Sequence, residues 1–371
     1  VLHDTTSIRV HLPAGAGQAD RSYDIVVGGG VIASLGPTIA ATGANRVVVI
    51  ADAAVADSHA AAAAASLSAV GLQVAAVSVP SGEASKSVAA LHRLWDEFAR
   101  LAVDRHAHVV GVGGGVVGDL AGFTAATFGR GLPVWHVPTT VVAQVDSAIG
   151  GKTGINLEAG KNLVGSFWQP RGVFADVDAL ATLPDREFRS GLAEVVKYGM
   201  ILDAAFFDWL VANTGAILRR DVAALGHVVG RSATLKAGVV EGDEREVTGL
   251  RAILNYGHTF AHAYETAAGY GTLLHGEAVA IGMASAAALA RAVGRIGPDV
   301  VVRQEQLLRA FDLPVTVPNG PGFTADALLA TMARDKKTVG GRLRFVLPTR
   351  IGHVELVDGI DPATVRTILG C

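Results

Sequence analysis

The sequence predicts an α/β N-terminal domain built on a parallel sheet, followed by a mainly α-helical C-terminal domain. Short β-branched runs alternate with Ala-rich stretches up to Pro184, and beyond it apolar residues recur at helical spacing with few strand-like runs. The scale agrees: 371 residues, 50% of them hydrophobic and 18% charged, supply apolar material for two domains.

Strands are expected at 46–50, 72–77, 109–112, 134–137 and 173–175, with helical segments between them. Alternation of this kind places consecutive strands parallel and covers the sheet with helices, which makes 1–183 the first domain. Helical periodicity then runs through 188–202, 204–217, 222–239, 255–268, 275–293 and 301–311, and a strand-like run returns at 343–347. These make up the second domain, 184–371. No internal repeat or low-complexity linker interrupts the chain.

Composition excludes several classes of partner. A formal net charge of −3 and a pI near 6.5 give no broad basic footprint for nucleic acid or anionic lipid, so a bound anion must meet a local cluster. Cys371 is the single cysteine, which rules out an intrachain disulfide and a Cys-based zinc site and fits a reducing, cytoplasmic setting. Around Asp4 and Arg9 there is no apolar core of a signal peptide. The longest apolar run, 278–290, is too short and too rich in Ala and Gly to span a bilayer. No membrane partner and no nucleic acid is expected. Lysine is scarce, seven against twenty-four arginines. An ammonium is a compact point charge where guanidinium is a planar fork, so the few lysines are candidates for tight phosphate or hydroxyl contacts, with chance as the competing account.

The run 109–112 leads into Gly113, Gly114, Gly115, Val116, Val117, Gly118 and Asp119, and a helical stretch follows. Gly113, Gly115 and Gly118 have the spacing that lets backbone amides approach a pyrophosphate at a helix N-terminus. In a chain with 45 glycines the spacing alone is weak, and a plain tight turn competes. The strand before and the helix after favour a Rossmann-like parallel sheet holding a dinucleotide. An acidic residue is usual some twenty positions downstream for the ribose hydroxyls, and it is missing here. Asp52 follows an earlier strand instead, so the sheet is expected to be wound differently from the ordinary order. Ser81 to Lys86, including Glu83, adds polar groups for ribose or adenine just past another strand; a helix N-cap is the simpler account of it.

Next come Thr139, Thr140 and Asp146, then Lys152 within Gly150 to Gly154, then Lys161 and Asn162 between glycines. Three such donors within eleven positions are poor core material and suit anion binding. A Walker loop would require glycine at 146, where Asp stands, which disfavours ATP hydrolysis. Further on, His258 and His262 stand four apart on one helical face, the spacing of a zinc pair. His275 opens another helix, and Glu194 and Lys197 stand three apart on a third. From the residues alone, His258 and His262 are drafted as ligands, with Glu194 or His275 completing the set. Buried charges must be paired or bound to metal, so this group resists a purely structural account. Nitrogen and oxygen donors leave zinc, cobalt or another divalent ion open.

Taken together, the glycine loop, the segments 144–154, 160–170, 182–184, 191–199, 254–265 and 275–283, and Asp335-Lys336-Lys337 resemble the 3-dehydroquinate synthases in order and spacing over nearly the whole chain. The resemblance implies a homodimer with NAD and one divalent metal, zinc or cobalt. It implies a lyase of the shikimate pathway that converts 3-deoxy-arabino-heptulosonate 7-phosphate into 3-dehydroquinate and phosphate. It moves the metal to Glu194, His258 and His275 and leaves His262 for substrate contact and proton transfer. Cofactor contacts are implied at Asp52, Glu83, Lys86, Gly115, Val116, Val117, Gly118, Asp119, Thr139, Thr140, Lys152, Lys161 and Thr182. The substrate phosphate falls to Lys152, Asn162, Asn255, His262 and Lys336 or Lys337, with Arg130 reaching in from the other subunit. The carboxylate falls to Arg251 and Lys236, and the ring hydroxyls to Asp146, Lys197 and the metal. Asp146, Lys197, Asn255 and His262 form the implied catalytic group. Three departures stand out: Glu246-Val247-Thr248-Gly249 is one residue longer than the family's usual stretch, Ala54 replaces a frequent Asn, and Ala261 a frequent Gly. Competing readings are another sugar phosphate cyclase, an amino-dehydroquinate synthase, a metal-dependent polyol dehydrogenase and a catalytically dead scaffold.

Overall fold

Val47, Val48, Val49 and Ile50 are all fully buried, yet they divide between two faces. Val47 and Val49 pack with Leu35, Ile39 and Leu67, whereas Val48 and Ile50 pack with Leu91, Leu94, Phe98 and Leu120. A period of two with apolar contacts on both sides marks a central strand of a sheet covered on both faces. The computed structural model describes residues 5–15, 19–269, 272–334 and 343–370. Lys336 and Lys337 therefore lie outside the described residues, as does Cys371.

The chain divides into two units, the first being Val1–Leu183 with Val222–Arg245. Its strands are β1 (Thr6–Val10), β2 (Tyr23–Gly28), β3 (Arg46–Asp52), β4 (Gln73–Val79), β5 (His108–Gly113) and β6 (Val134–Pro138). An antiparallel hairpin of β7 (Lys152–Leu157) and β8 (Gly160–Phe167) stands apart from the main sheet, which β9 (Gly172–Asp176) completes. Strand order is β1-β2-β9-β6-β5-β3-β4, with only β1 and β2 antiparallel. Helices α1 (Leu35–Ala40) and α2 (Ala61–Ala69) cover one face, α3 (Val88–Arg100) and α4 (Gly115–Thr127) the other. From β3 the chain passes to β4 on one side and returns to β5 on the other. Such a reversal opens a crevice at the carboxyl ends of the two strands, and there Asp52 and Gly113 stand. The Rossmann-like parallel sheet expected from the sequence is present, wound in an order of its own.

Helices α5 (Asp185–Leu202) and α6 (Ala204–Leu218) open the second unit, Pro184–Asp221 with Glu246–Cys371. Between its two pieces, α7 (Val222–Gly242) returns to the first unit, where it lies along β1, β2 and the turn at 143–147. Its position in the chain would group this helix with 184–371, whereas its contacts group it with the first unit. Its helical spacing shows that it has an apolar face but not which sheet that face covers. The second unit continues with α8 (His258–Ala268), α9 (His275–Ala292), α10 (Pro298–Ala310) and α11 (Ala325–Arg334). A hairpin of β10 (Arg344–Arg350) and β11 (His353–Asp358) and then α12 (Pro362–Leu369) end it. Small residues let its helices meet backbone to backbone. A Cβ on Gly276 of α9 would lie 1.7 Å from the Ser190 carbonyl of α5, and one on Gly282 would lie 2.2 Å from the Gly257 carbonyl that precedes α8. Gly257 itself has φ of 79°, a left-handed turn that a side chain would strain. No helix among the described residues is long and apolar enough to cross a membrane.

Candidate active site

In the first unit the glycine loop is shaped by what crowds it. A Cβ on Gly113 would lie 3.1 Å from Asp52 Cβ, and one on Gly115 would lie 2.9 Å from Ser147 Oγ. Gly114 precedes the first turn of α4, so the amides of Gly115, Val116 and Val117 begin a helix and are the ones an anion can meet. The Gly118 amide donates to Gly114 O at 3.0 Å, within the first turn of α4. Thr139 N donates to Gly113 O at 3.0 Å, and Thr140 Oγ1 accepts from Ala143 N at 3.2 Å. Both threonines thus sit where β6 ends beside the loop. Asp52 Oδ1 accepts from Ala54 N at 2.9 Å and from Ser81 Oγ.

Lys86, almost fully buried, gathers the next group. Its Nζ donates to Asp119 Oδ2 at 2.6 Å and to Asn162 Oδ1, with Glu83 at 3.9 Å. Burial pushes the Asp119 carboxyl up from the ordinary value, and Lys86 opposes that shift. A second buried lysine, Lys236 of α7, donates to both Oδ1 and the carbonyl of Asp146, each at 2.6 Å. Lys152 is exposed at the start of β7, Lys161 is half-buried at the start of β8, and Arg130 is exposed at the end of a short turn after α4. Thr182 Oγ1 lies 2.8 Å from His59 Nε2 and donates to the Ala179 carbonyl at 3.0 Å.

The second unit carries the metal-type cluster. Glu194 of α5 is completely buried, and His258 and His275 are the first residues of α8 and α9. One donor atom from each of the three lies within 4.8 Å of the others. Nε2 of His258 stands 3.5 Å, and Nε2 of His275 3.4 Å, from Glu194 Oε1. On the far side of each imidazole another acceptor fixes the ring: the Tyr256 carbonyl lies 3.1 Å from His258 Nδ1, and Glu265 Oε1 lies 3.5 Å from His275 Nδ1. Outer partners of this kind orient metal-binding histidines. Two nitrogens and one carboxylate oxygen, with a buried Lys197 paired to the other oxygen of Glu194, suit a divalent ion such as zinc or cobalt. Burial disfavours charge on His275, but Glu194 and Glu265 outweigh it and raise its pKa to about 10. Metal binding therefore competes with that proton.

His262 lies outside this cluster, its ring centroid 5.8 Å from that of His258 and its plane turned by 82°. The draft pairing of His258 with His262 from four-residue spacing is thus replaced by a set drawn from three helices. Spacing along one helix says nothing about the other two. Glu265 has no signal of its own in the spacing read above, yet His258, His262 and Glu265 fall on one face of α8. Arg251 is buried, 4.0 Å from Glu246 Oε1. In the stretch before it, Val247 is 83% exposed, while Arg251 stays inside. Asn255 is half-buried at the end of the short helix that carries Arg251.

Comparison with known proteins follows the same lines. The description "3-dehydroquinate synthase N-terminal" matches residues 76–190, and "3-dehydroquinate synthase C-terminal" matches 191–338. The chain belongs to the 3-dehydroquinate synthase family. It is 48% identical, over 95% of both chains, to the 3-dehydroquinate synthase of Rhodopirellula baltica. Among solved structures it is similar to a 2-deoxy-scyllo-inosose synthase complexed with carbaglucose-6-phosphate, NAD+ and Co2+, with a TM-score of 0.88 at 26% identity, covering 98% of this chain and 99% of that one. It is also similar to a 2-epi-5-epi-valiolone synthase of Streptomyces hygroscopicus subsp. jinggangensis with NAD+ and Zn2+ bound, with a TM-score of 0.85 at 29% identity, covering 96% and 97%.

Proposed function

We propose that this member of the family closes 3-deoxy-arabino-heptulosonate 7-phosphate into 3-dehydroquinate, releasing phosphate, as a carbon–oxygen lyase that uses NAD and a divalent metal. The observation that carries the reading is the match over 95% of both chains to a 3-dehydroquinate synthase at 48% identity. The cluster of Glu194, His258 and His275 supports it, since its donor set fits the metal such chemistry needs. When bound, the metal supplies Lewis acidity and NAD a reversible hydride acceptor, so a secondary alcohol can become a ketone and later be restored.

The chain's own groups do the rest. Lys197, a compact donor held against Glu194, orients the alcohol hydroxyl, and Asp146 with its partner Lys236 holds a neighbouring one. Arg251 and Lys236 receive the substrate carboxylate, and a buried guanidinium suits that planar anion. Lys152, Asn162 and Asn255, with Lys336 or Lys337, take the phosphate. While the ketone lasts, the C–H beside it is acidic, and His262 moves protons during phosphate loss and ring closure. The amides of Gly115 to Val117, with Asp52, Glu83, Lys86, Asp119, Thr139, Thr140, Lys161 and Thr182, hold the dinucleotide. A homodimer in the cytoplasm belongs to the same proposal on the strength of the resemblance, and sedimentation velocity tests the dimer.

A second reading, another sugar phosphate cyclase, is supported by the two solved neighbours, but at 26% and 29% identity. Arg251 also speaks against a substrate without a carboxylate. The test supplies the heptulosonate phosphate with NAD and zinc or cobalt and follows phosphate, cyclic product and NADH. Phosphate and cyclic product without net NADH is the expected result. No turnover would overturn the proposal in favour of a cyclase of another substrate, and steady NADH would point to a dehydrogenase.

A further inference from the structure

Asn156 joins two parts of the first unit that carry candidate site residues, the loop before α3 and the β7–β8 hairpin. β7 and β8 pair from Lys152 opposite Phe167 to Ile155 opposite Val164, and the register then shifts between Ile155 and Leu157. Asn156 sits in that irregularity, and a bulge re-aims the residue it frees from the ladder. Its backbone N–H donates to the Lys86 carbonyl at 2.9 Å, in the loop that precedes α3. In the same loop, Glu83 Oε1 accepts from Asn156 Nδ2 at 2.7 Å. On the hairpin, Asn156 Oδ1 accepts from Asn162 N at 2.9 Å. Asn162 has φ of 55°, a left-handed conformation that asparagine adopts more readily than most residues with a side chain. In that conformation its own Oδ1 accepts from Lys86 Nζ, which closes the ring of contacts.

We propose that Asn156 is the positioning residue that sets Glu83, Lys86 and Asn162 together, so that the dinucleotide contacts and the phosphate contact of the first unit form as one arrangement. The proposal rests on the roles given to those three residues under the proposed function. A carboxamide is the group this place needs, because it donates to a carboxylate and accepts from an N–H at once. Aspartate would keep the acceptor for Asn162 and face Glu83 with a like charge. Alanine would lose both side-chain bonds.

The test is a double-variant cycle read by calorimetric titration of NAD into metal-loaded protein, with KM for the phosphorylated substrate and thermal unfolding measured alongside. Asn156→Asp is expected to weaken NAD binding at least tenfold. Glu83→Gln with Asn156→Asp restores the pair with its direction reversed, since the Gln amide can donate to the Asp carboxylate. The double variant is expected to bind NAD at least fivefold tighter than the two single effects multiplied together. Asn156→Ala is expected to raise both the NAD dissociation constant and the substrate KM about tenfold, and its own cycle with Glu83→Gln carries the test should Asn156→Asp not fold. Independent effects in the cycle, or losses that track unfolding temperature with KM unchanged, overturn the proposal. Wild-type protein that does not bind NAD sinks this inference together with the proposed function. Wild-type binding with independent effects in the cycle sinks the role of Asn156 alone.

Discussion

Replacing Gly276 by Ala tests how the metal-type cluster is assembled. Gly276 follows His275 at the start of α9, and its Cβ would lie 1.7 Å from the Ser190 carbonyl oxygen and 2.8 Å from Ser190 Oγ. Real Cβ contacts essentially never fall under 3.0 Å, and the opposing atom is backbone of α5, so the helices must part by about 1.3 Å locally. Glu194 stands one turn further along α5, and His275 is the neighbouring residue of the substitution. Metal ligands must hold their distances to within roughly 0.2 Å, so a shift of that size removes His275 from the set. Overpacking of this kind costs about 1–3 kcal/mol. Urea unfolding should show that loss in metal-free protein. Bound zinc or cobalt after dialysis should fall at least tenfold, with the Co2+ absorption band losing intensity. Wild-type metal content in the variant would refute the argument that close approach of α5 and α9 builds the cluster.

Further outcomes follow from the same geometry. His275→Ala should lose metal, whereas His262→Ala should keep it and lose turnover at least a hundredfold; the opposite pattern on metal analysis would restore the His258 and His262 pairing. Glu194→Gln removes the carboxylate facing buried Lys197 and should destabilise the metal-free protein by about 3 kcal/mol, measured by urea unfolding. Burial pushes His136 down to about 4 from 6.5. The folded chain therefore refuses a proton that the unfolded chain accepts between those values, so its contribution is complete above pH 6.5 and lost as pH falls towards 4. At full extent that is about 3 kcal/mol, and His136→Gln should flatten the acid limb of stability against pH by that amount. An unchanged limb would count against the buried neutral imidazole.

Legibility in the sequence depended on whether a signal was local. The apolar runs at 47–50 and 109–112 are buried from both sides, and the reversal after β3 matches the odd placement of Asp52 ahead of the glycine loop. The hairpin of β7 and β8 was hidden, because its glycines and lysines read as an anion segment rather than as strands. The three-helix origin of Glu194, His258 and His275 could not be seen in spacing, since Gly276 and Gly282 carry the close approach and look like ordinary helix interruptions. It became visible only through resemblance to a family. Asn156 was missed for a related reason: its meaning lies in a register shift and in partners seventy-three and six residues away. The return of α7 to the first unit is likewise a tertiary fact, expressed by Lys236 meeting Asp146 across ninety residues.

The central claim is that oxidation and reduction cancel within each turnover. Metal-loaded protein with NAD at one equivalent per subunit, given a large excess of 3-deoxy-arabino-heptulosonate 7-phosphate, tests it most directly by phosphate release and absorbance at the NADH band. The account predicts phosphate exceeding NAD many times over, matched by 3-dehydroquinate, with no NADH accumulating. Phosphate release that stops at one equivalent, accompanied by an equal amount of NADH, would contradict it.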